Sequence, residues 1–305
     1  KWSFEQGVPL LRKDSADQLS IESKDVPVFL VGNGPSLDNL IEVIRESAND
    51  AIIVSCGTAL QTLHRHGIQP DFHAEIESNR STFDWAVRVG SLDYLKQITL
   101  ISCNGIHPDT CQLYKDVYLA FKEGESSTVS IGEVIAEQEY AKLRYAYPTV
   151  ANFGYDFFQT AGFTQLYFFG IDMGFADSKY HHSRSSGYYD DEGKERYDYS
   201  KENDTSIIVE GNFRAKVNTK FEFKVSKRVL EQAISPHAAV YNVSDGAKIY
   251  GSMPLRPENV FVSSDAGLKR YSKNGALFQF PLIRFEIAST TAIQKNIYYR
   301  KWKFC

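Results

Sequence analysis

"VPVFLVGNGPSLDNLIEVIRESA", residues 26–48, decides how the chain folds. Its first half is a continuous apolar run of strand length, and its second half sets Leu37, Leu40, Ile41 and Ile44 at helical spacing. Between them stand Gly32, Asn33, Gly34, Pro35 and Ser36, which predicts a strand, a tight turn and a helix with Ser36 near its N-cap. A turn of this kind aims amide N–H groups and a helix dipole at an anion, so these five residues are candidates for phosphate or nucleotide contact. Taken alone they lack the lysine of a phosphate-binding loop and the third glycine of a dinucleotide fingerprint, and a plain tight turn would use the same residues.

The same beat repeats outward from that stretch. "AIIVSCG" (51–57) reads as a strand, "TALQTLHRHG" (58–67) as a helix closed by Gly67, and "DFHAEIE" (71–77) as a strand. A helix is expected around Asp84 to Arg88, then strands at "QITLISC" (97–103) and "DVYLAF" (116–121), a helix over 151–162 and a strand at "QLYFFGID" (165–172). Strands alternating with helices predict an α/β fold, a Rossmann-like doubly wound sheet that is mainly parallel. Ligands of such sheets lie outside the carboxyl ends of the strands. The predicted strand ends carry Ser55, Cys56, Gly57, Glu75, Glu77, Asn104 and Asp172, so small and polar residues collect where a ligand would sit.

Residues 183–204 are dense in Tyr, Asp, Glu, Lys and Ser with almost no aliphatic side chain, and read as a mobile loop or lid without a core of its own. "FEFKVSKRVLEQAI" (221–234) predicts a helix with Phe221, Val225, Val229 and Leu230 inward, and "AVYNVSDGAKIYGS" (239–252) a strand with a glycine-rich turn. The expected division is a lead-in over 1–25, the Rossmann-like domain over 26–257 and a C-terminal extension over 258–305 that ends in the basic, aromatic "YYRKWKFC".

Composition narrows the function. The 305 residues are 43% hydrophobic and 24% charged, enough for a substantial core. With 34 Lys and Arg against 38 Asp and Glu, the net charge of -4 leaves no electrostatic footprint for nucleic acid. Cys56, Cys103, Cys111 and Cys305 have neither metal-ligand nor disulfide-framework spacing and are expected as reduced thiols in a cytoplasmic protein. No apolar stretch approaches about 18 residues, so no membrane span is expected. The chain begins at Lys1 rather than Met, as a piece of a longer protein would.

Two adjacent histidines, His181 and His182, follow the strand that ends in Asp172. Neighbouring side chains diverge, so they are poor partners for one metal ion, and an imidazole acting as general base is the better chemical use. An exposed loop histidine is the plain alternative. Glu75 and Glu77 lie two apart on an expected strand, sharing a face with His73, where they could orient a base, bind a hydroxyl, hold a cation or form a half-buried structural pair. Asn104, Thr149, Asn152, Asn218 and Asn242 are uncharged hydrogen-bonding groups suited to sugar or base hydroxyls and amides.

In order, "VGNGPSL", "PDFHAEIE", "LYFFGIDMGF" followed by "KYHHS", "AKVNT" and "YNVSDGAKIYGS" resemble the central domain of the motility accessory factor proteins, over roughly residues 26–257. Those proteins are implicated in glycosylating serine and threonine of flagellin with nonulosonic acids. The glycine turn and the "GID" strand are also similar to bacterial sialyltransferases that use CMP-activated sugars. The family's central domain is similar, too, to archaeal 6-hydroxymethylpterin diphosphokinase. The resemblance implies a CMP-activated nonulosonic acid as donor substrate and flagellin as acceptor; because CMP leaves with a single phosphate that backbone N–H donors and dipoles can stabilise, neither a tightly bound cofactor nor a metal ion is expected. Carried over by position, Gly32, Asn33, Gly34, Pro35 and Ser36 would contact the nucleotide, and Thr149 to Asn152 would lie beside the donor. Asp172, Asn218, Thr219 and Asn242 join the candidate donor contacts. His181 would be the base, with His182 and Glu77 as further catalytic candidates. The chain departs from the family at Ile171-Asp172-Met173, where Gln-Asp-Leu is usual, and at His182, where a small residue is common. Pyrophosphoryl transfer to a pterin, with Glu75, Glu77 and Asp172 holding a cation, is the competing enzyme reading. A non-catalytic flagellin-binding module is the third.

Overall fold

A computed structural model describes residues 5–19, 21–132, 140–177, 180–190, 192–196, 199–262 and 282–283. Eleven strands form one sheet, which begins with β1 (Leu10–Leu11), β2 (Val28–Val31), β3 (Ile52–Cys56), β4 (Phe72–Glu75) and β5 (Thr99–Cys103). It continues through β6 (Asp116–Lys122), β7 (Lys142–Leu143) and β8 (Gln165–Phe169). A hairpin of β9 (Ile207–Glu210) and β10 (Lys216–Thr219) stands apart from the sheet, which resumes with β11 (Ala239–Asn242), β12 (Met253–Pro254) and β13 (Leu282–Ile283). The spatial order is β12-β11-β8-β2-β3-β4-β5-β6-β1-β13, with β7 also on β6. Every sheet pairing is parallel except that of β13 with β1. The doubly wound α/β expectation therefore holds.

The continuous apolar strands arise because both faces of a parallel sheet are covered. Side chains alternate across β2: Val28 and Leu30 join one core layer, and Phe29 and Val31 the other. The first layer is closed by α9 (Val150–Ala161), which drives Phe153, Phe157 and Phe158 into it and stops at Gly162, where φ is +108°. The second layer is closed by α3 (Ile41–Ser47) through Ile41 and Ile44 and by α4 (Ala59–Arg65) through Ala59 and Leu63. A third cluster lies beside β5 and β6, where Ala86 of α5 (Ser81–Val87) meets Leu100 and Leu119.

Several local expectations are corrected. Ser36 does not cap a long helix; Pro35–Asn39 is a 3₁₀ turn, and α3 starts only after Leu40. The strand ends at Glu75, so Glu77 stands exposed in the following loop and the two carboxylates share no strand face. On α11 (Phe221–Ala233), Val229 and Leu230 are buried as expected, but Phe221 is 72% exposed. The inward face is centred on Ser226, which is hydrogen-bonded to Asn152 of α9, and five residues place Phe221 about 140° around the helix from it. The lead-in contributes β1, whose Leu10 and Leu11 are buried. Most of the expected C-terminal extension, including its basic aromatic end, lies outside the described residues.

Candidate functional site

Strand order reverses between β2 and β8: β3 to β6 build the sheet one way, and β11 and β12 the other. Such a switch point opens a crevice where loops leave in opposite directions. Here the bare turn finds what it approaches, which is another backbone. The Gly32 amide donates to the Phe169 carbonyl at 2.8 Å and the Gly34 amide to the Gly170 carbonyl at 2.8 Å. A Cβ on Gly32 would stand 2.6 Å from the Gly170 oxygen, and one on Gly34 2.5 Å from Asp172 Oδ2. Glycine is thus required by the joint between the two strand ends.

Ser36 is part of the same joint. Its amide donates to Asp172 Oδ2 at 2.8 Å and its hydroxyl to Asp172 Oδ1. Burial raises the Asp172 carboxyl to about 6 despite those hydrogen bonds. A carboxylate therefore already occupies the positive end of the 3₁₀ turn, the place sequence reasoning reserved for a phosphate.

Above the joint lies a cleft of about 340 Å³. Gly32, Asn33, Gly34, Pro35, Thr149, Asp172, His181, His182 and Glu77 all line it. Asn33 locks the floor: its side chain donates to Thr58 Oγ1 at 2.9 Å and accepts from Thr62 Oγ1 at 3.0 Å, while its carbonyl accepts the Ser183 amide at 2.9 Å. The turn, α4 and the histidine segment are held by this one residue. Six candidates fall outside the lining. Ser36 serves Asp172, and Asn104 donates to Ser127 Oγ at 3.2 Å. Asn152 closes a capping box with Thr149 and binds Ser226. Asn218 exchanges backbone hydrogen bonds with Phe175, and Thr219 donates to the Met173 carbonyl at 2.7 Å, so both brace the wall. Asn242 shapes the turn after β11, which brings Gly246 against the Asp172 backbone.

His181 is 3% exposed, edge-on to Phe175 at 4.8 Å and stacked on Tyr199 at 4.5 Å. Its Nδ1 is buried with no hydrogen-bond partner among the described residues. Loss of solvent and the field of Lys220 hold its pKa below the ordinary value, against the opposing pull of Glu195. His182 is half-buried, and its pKa is driven down to about 3, first by loss of solvent and then by repulsion from His181 and Lys220. The Tyr188 ring lies flat on it at 3.8 Å. Both imidazoles are neutral at pH 7, the form that accepts a proton.

The segment behind the histidines is docked through polar groups. Asp38 accepts from Ser183 Oγ at 2.6 Å and from Arg184 Nε at 2.9 Å, and Arg65 reaches the Ser185 carbonyl at 2.9 Å. Ser183, Ser186 and Tyr189 are buried, which corrects the expectation that residues 183–204 carry no packing of their own. Aromatic rings and hydrogen bonds replace aliphatic side chains there.

The N-terminal end of α9 also lines the cleft, through its N-cap Thr149 and through Val150 and Ala151. Neither the Val150 nor the Ala151 amide has an acceptor among the described residues. Glu75, 8% exposed, also lines the cleft, with its Oε1 3.4 Å from His73 Nε2, and His73 Nδ1 lies 2.9 Å from Ser55 Oγ. Sequence reasoning missed Thr58, Trp85, Tyr188 and Phe223 in the lining. Their only signal was aromatic or hydroxyl character within helices and loops. The lining holds no Lys or Arg among the described residues. No group of three or more His, Cys, Asp or Glu there is arranged to hold a metal ion. Burial pushes the thiols of Cys56, Cys103 and Cys111 up to about 12, and all three are free. No described helix is long and apolar enough to cross a membrane.

Fold and site together define a Rossmann-like α/β protein with its ligand cleft at the switch point of a doubly wound sheet. The family model described as 6-hydroxymethylpterin diphosphokinase MptE-like matches residues 5–178, and the chain belongs to that MptE-like family. Among solved structures it is similar to the Maf glycosyltransferase from Magnetospirillum magneticum AMB-1, at 27% identity and a TM-score of 0.70. That match covers 88% of this chain and 39% of the other, so the chain spans well under half of its structural relative. The resemblance to the motility accessory factor proteins is thus carried by structure as well as by motifs. No curated protein matches the chain.

Proposed function

We propose that the protein is a glycosyltransferase that moves a nonulosonic acid from a CMP-sugar to a serine or threonine hydroxyl of flagellin, with inversion, in the cytoplasm. The likeness to the Maf glycosyltransferase over 88% of the chain carries this reading, and the buried, neutral His181 in the cleft supports it. The acceptor hydroxyl gives its proton to His181 while its oxygen attacks the anomeric carbon, and CMP leaves with the electron pair of the broken bond. The amides of Val150 and Ala151, without an acceptor among the described residues and at the start of a helix of 12 residues, suit the phosphate, whereas Asp172 already occupies the turn at Ser36. A monophosphate leaving group stabilised by such donors needs no tightly bound metal ion.

The family description also names pterin pyrophosphoryl transfer, which requires a divalent cation on carboxylates. Its candidate ligands are engaged or dispersed: Asp172 on Ser36, Glu75 beside His73, and Glu77 out in the loop. Calorimetry with CMP, with and without chelator, beside an assay with ATP, magnesium and hydroxymethylpterin, tests the ranking. Chelator-insensitive CMP binding without AMP release is expected. AMP production would overturn the proposal. Chelator-sensitive CMP binding would contradict metal independence, and flagellin binding without nucleotide affinity would favour the non-catalytic module.

A further inference from the structure

The cleft and its proposed donor do not balance in charge. A CMP-activated nonulosonic acid carries a phosphate and a carboxylate, while the lining presents Glu75, Glu77 and Asp172 with no Lys or Arg among the described residues. The amides of α9 supply only a partial charge, of about half a unit. A cation close to the cleft but outside its lining would supply the remainder.

Lys220 stands in that place. It follows Thr219, whose hydroxyl is bonded to the Met173 carbonyl of the cleft wall, and it precedes α11 at its N-cap. Its side chain is 14% exposed, with Nζ 4.5 Å from the centre of the Phe223 ring, which lines the cleft, and 5.1 Å from the Tyr199 ring, on which His181 stacks. Its charge reaches both histidines. Burial works against the ammonium, but hydrogen bonding to Glu222 and to Tyr199 keeps it above the ordinary lysine value, so it stays charged. Asn203 Oδ1 accepts from it at 3.3 Å and the rim carboxylate of Glu222 at 2.7 Å, and because Glu222 is 51% exposed its pairing is screened by water and salt. A half-buried cation against aromatic rings, held by a weakly bound counter-ion, is ready to exchange that counter-ion for a ligand anion.

We infer that Lys220 binds an anionic group of the donor, releasing Glu222 as the cleft fills. This inference rests on the proposed CMP-sugar reading. Its test is calorimetric titration of the wild type, Lys220→Met and Lys220→Arg with CMP and with CMP-N-acetylneuraminic acid. Lys220→Met is expected to weaken binding about tenfold and Lys220→Arg to restore most of it. A loss confined to the sugar nucleotide assigns the carboxylate, and a loss shared with CMP assigns the phosphate. Wild-type affinity of Lys220→Met for both ligands overturns the inference and leaves the proposed function standing. A wild type that binds neither ligand removes both. Should Lys220→Met fail to fold, Glu222→Gln, an exposed change, asks the same question. Freed from its counter-ion, Lys220 would tighten binding severalfold, and unchanged or weaker affinity would overturn the inference.

Discussion

His181→Ala is expected to slow transfer by about 10² to 10⁴-fold while CMP affinity stays within a small factor of wild type. A serine or threonine hydroxyl is far too weak an acid to ionise at neutral pH, so its proton needs a positioned acceptor as the new bond forms. His181 is neutral, 3% exposed and held between Phe175 and Tyr199, with its Nδ1 unpaired among the described residues. His182→Ala is the internal control. That ring lies against Tyr188 and is depressed to about 3, a poor base, so its loss is expected to cost less than the loss of His181. Comparing kcat for transfer with CMP affinity in the two variants checks the assignment. If His182→Ala carries the large loss and His181→Ala does not, the assignment moves by one residue. If neither does, Glu77 becomes the candidate base.

Gly34→Val is expected to damage the fold and the site together. Its Cβ would stand 2.5 Å from Asp172 Oδ2 and 2.7 Å from the Gly170 oxygen, the same oxygen that accepts the Gly34 amide. Valine therefore forces β2 and β8 apart at the switch point and disturbs the two hydrogen bonds from Ser36 to Asp172. Overpacking of this kind costs about 1–3 kcal/mol, or roughly 2–12 °C in Tm for a domain of this size class. Thermal melting beside CMP titration checks it. An unchanged Tm with weakened CMP binding would instead place the effect on nucleotide approach.

The doubly wound sheet was legible because its parallel strands are buried on both faces and read as unbroken apolar runs, from "VPVFLVG" to "QLYFFGID". Leu10–Leu11 escaped because two residues give no period to read. The cleft was half legible. His181, His182 and the glycine turn stand out by type and by place at strand ends. The partner that decides what Ser36 does, Asp172, lies 136 residues away, and no local pattern pairs the two. Asn152, Asn218 and Asn242 have the right chemistry for a ligand but spend it on Ser226 of α11 and on the segments and turns that brace the wall. Trp85 and Phe223 sit on amphipathic helices, where an aromatic residue reads as core until the neighbouring element is known. Lys220 was invisible for the opposite reason: an ion pair beside a helix N-terminus looks like ordinary surface.

The most direct measurement is the intact mass of flagellin from cells with and without this gene. A nonulosonate transferase predicts that flagellin from the intact strain is heavier by whole multiples of one nonulosonic acid residue, and that deletion removes the increment. Identical flagellin masses from the two strains, while the protein is expressed, would contradict the account.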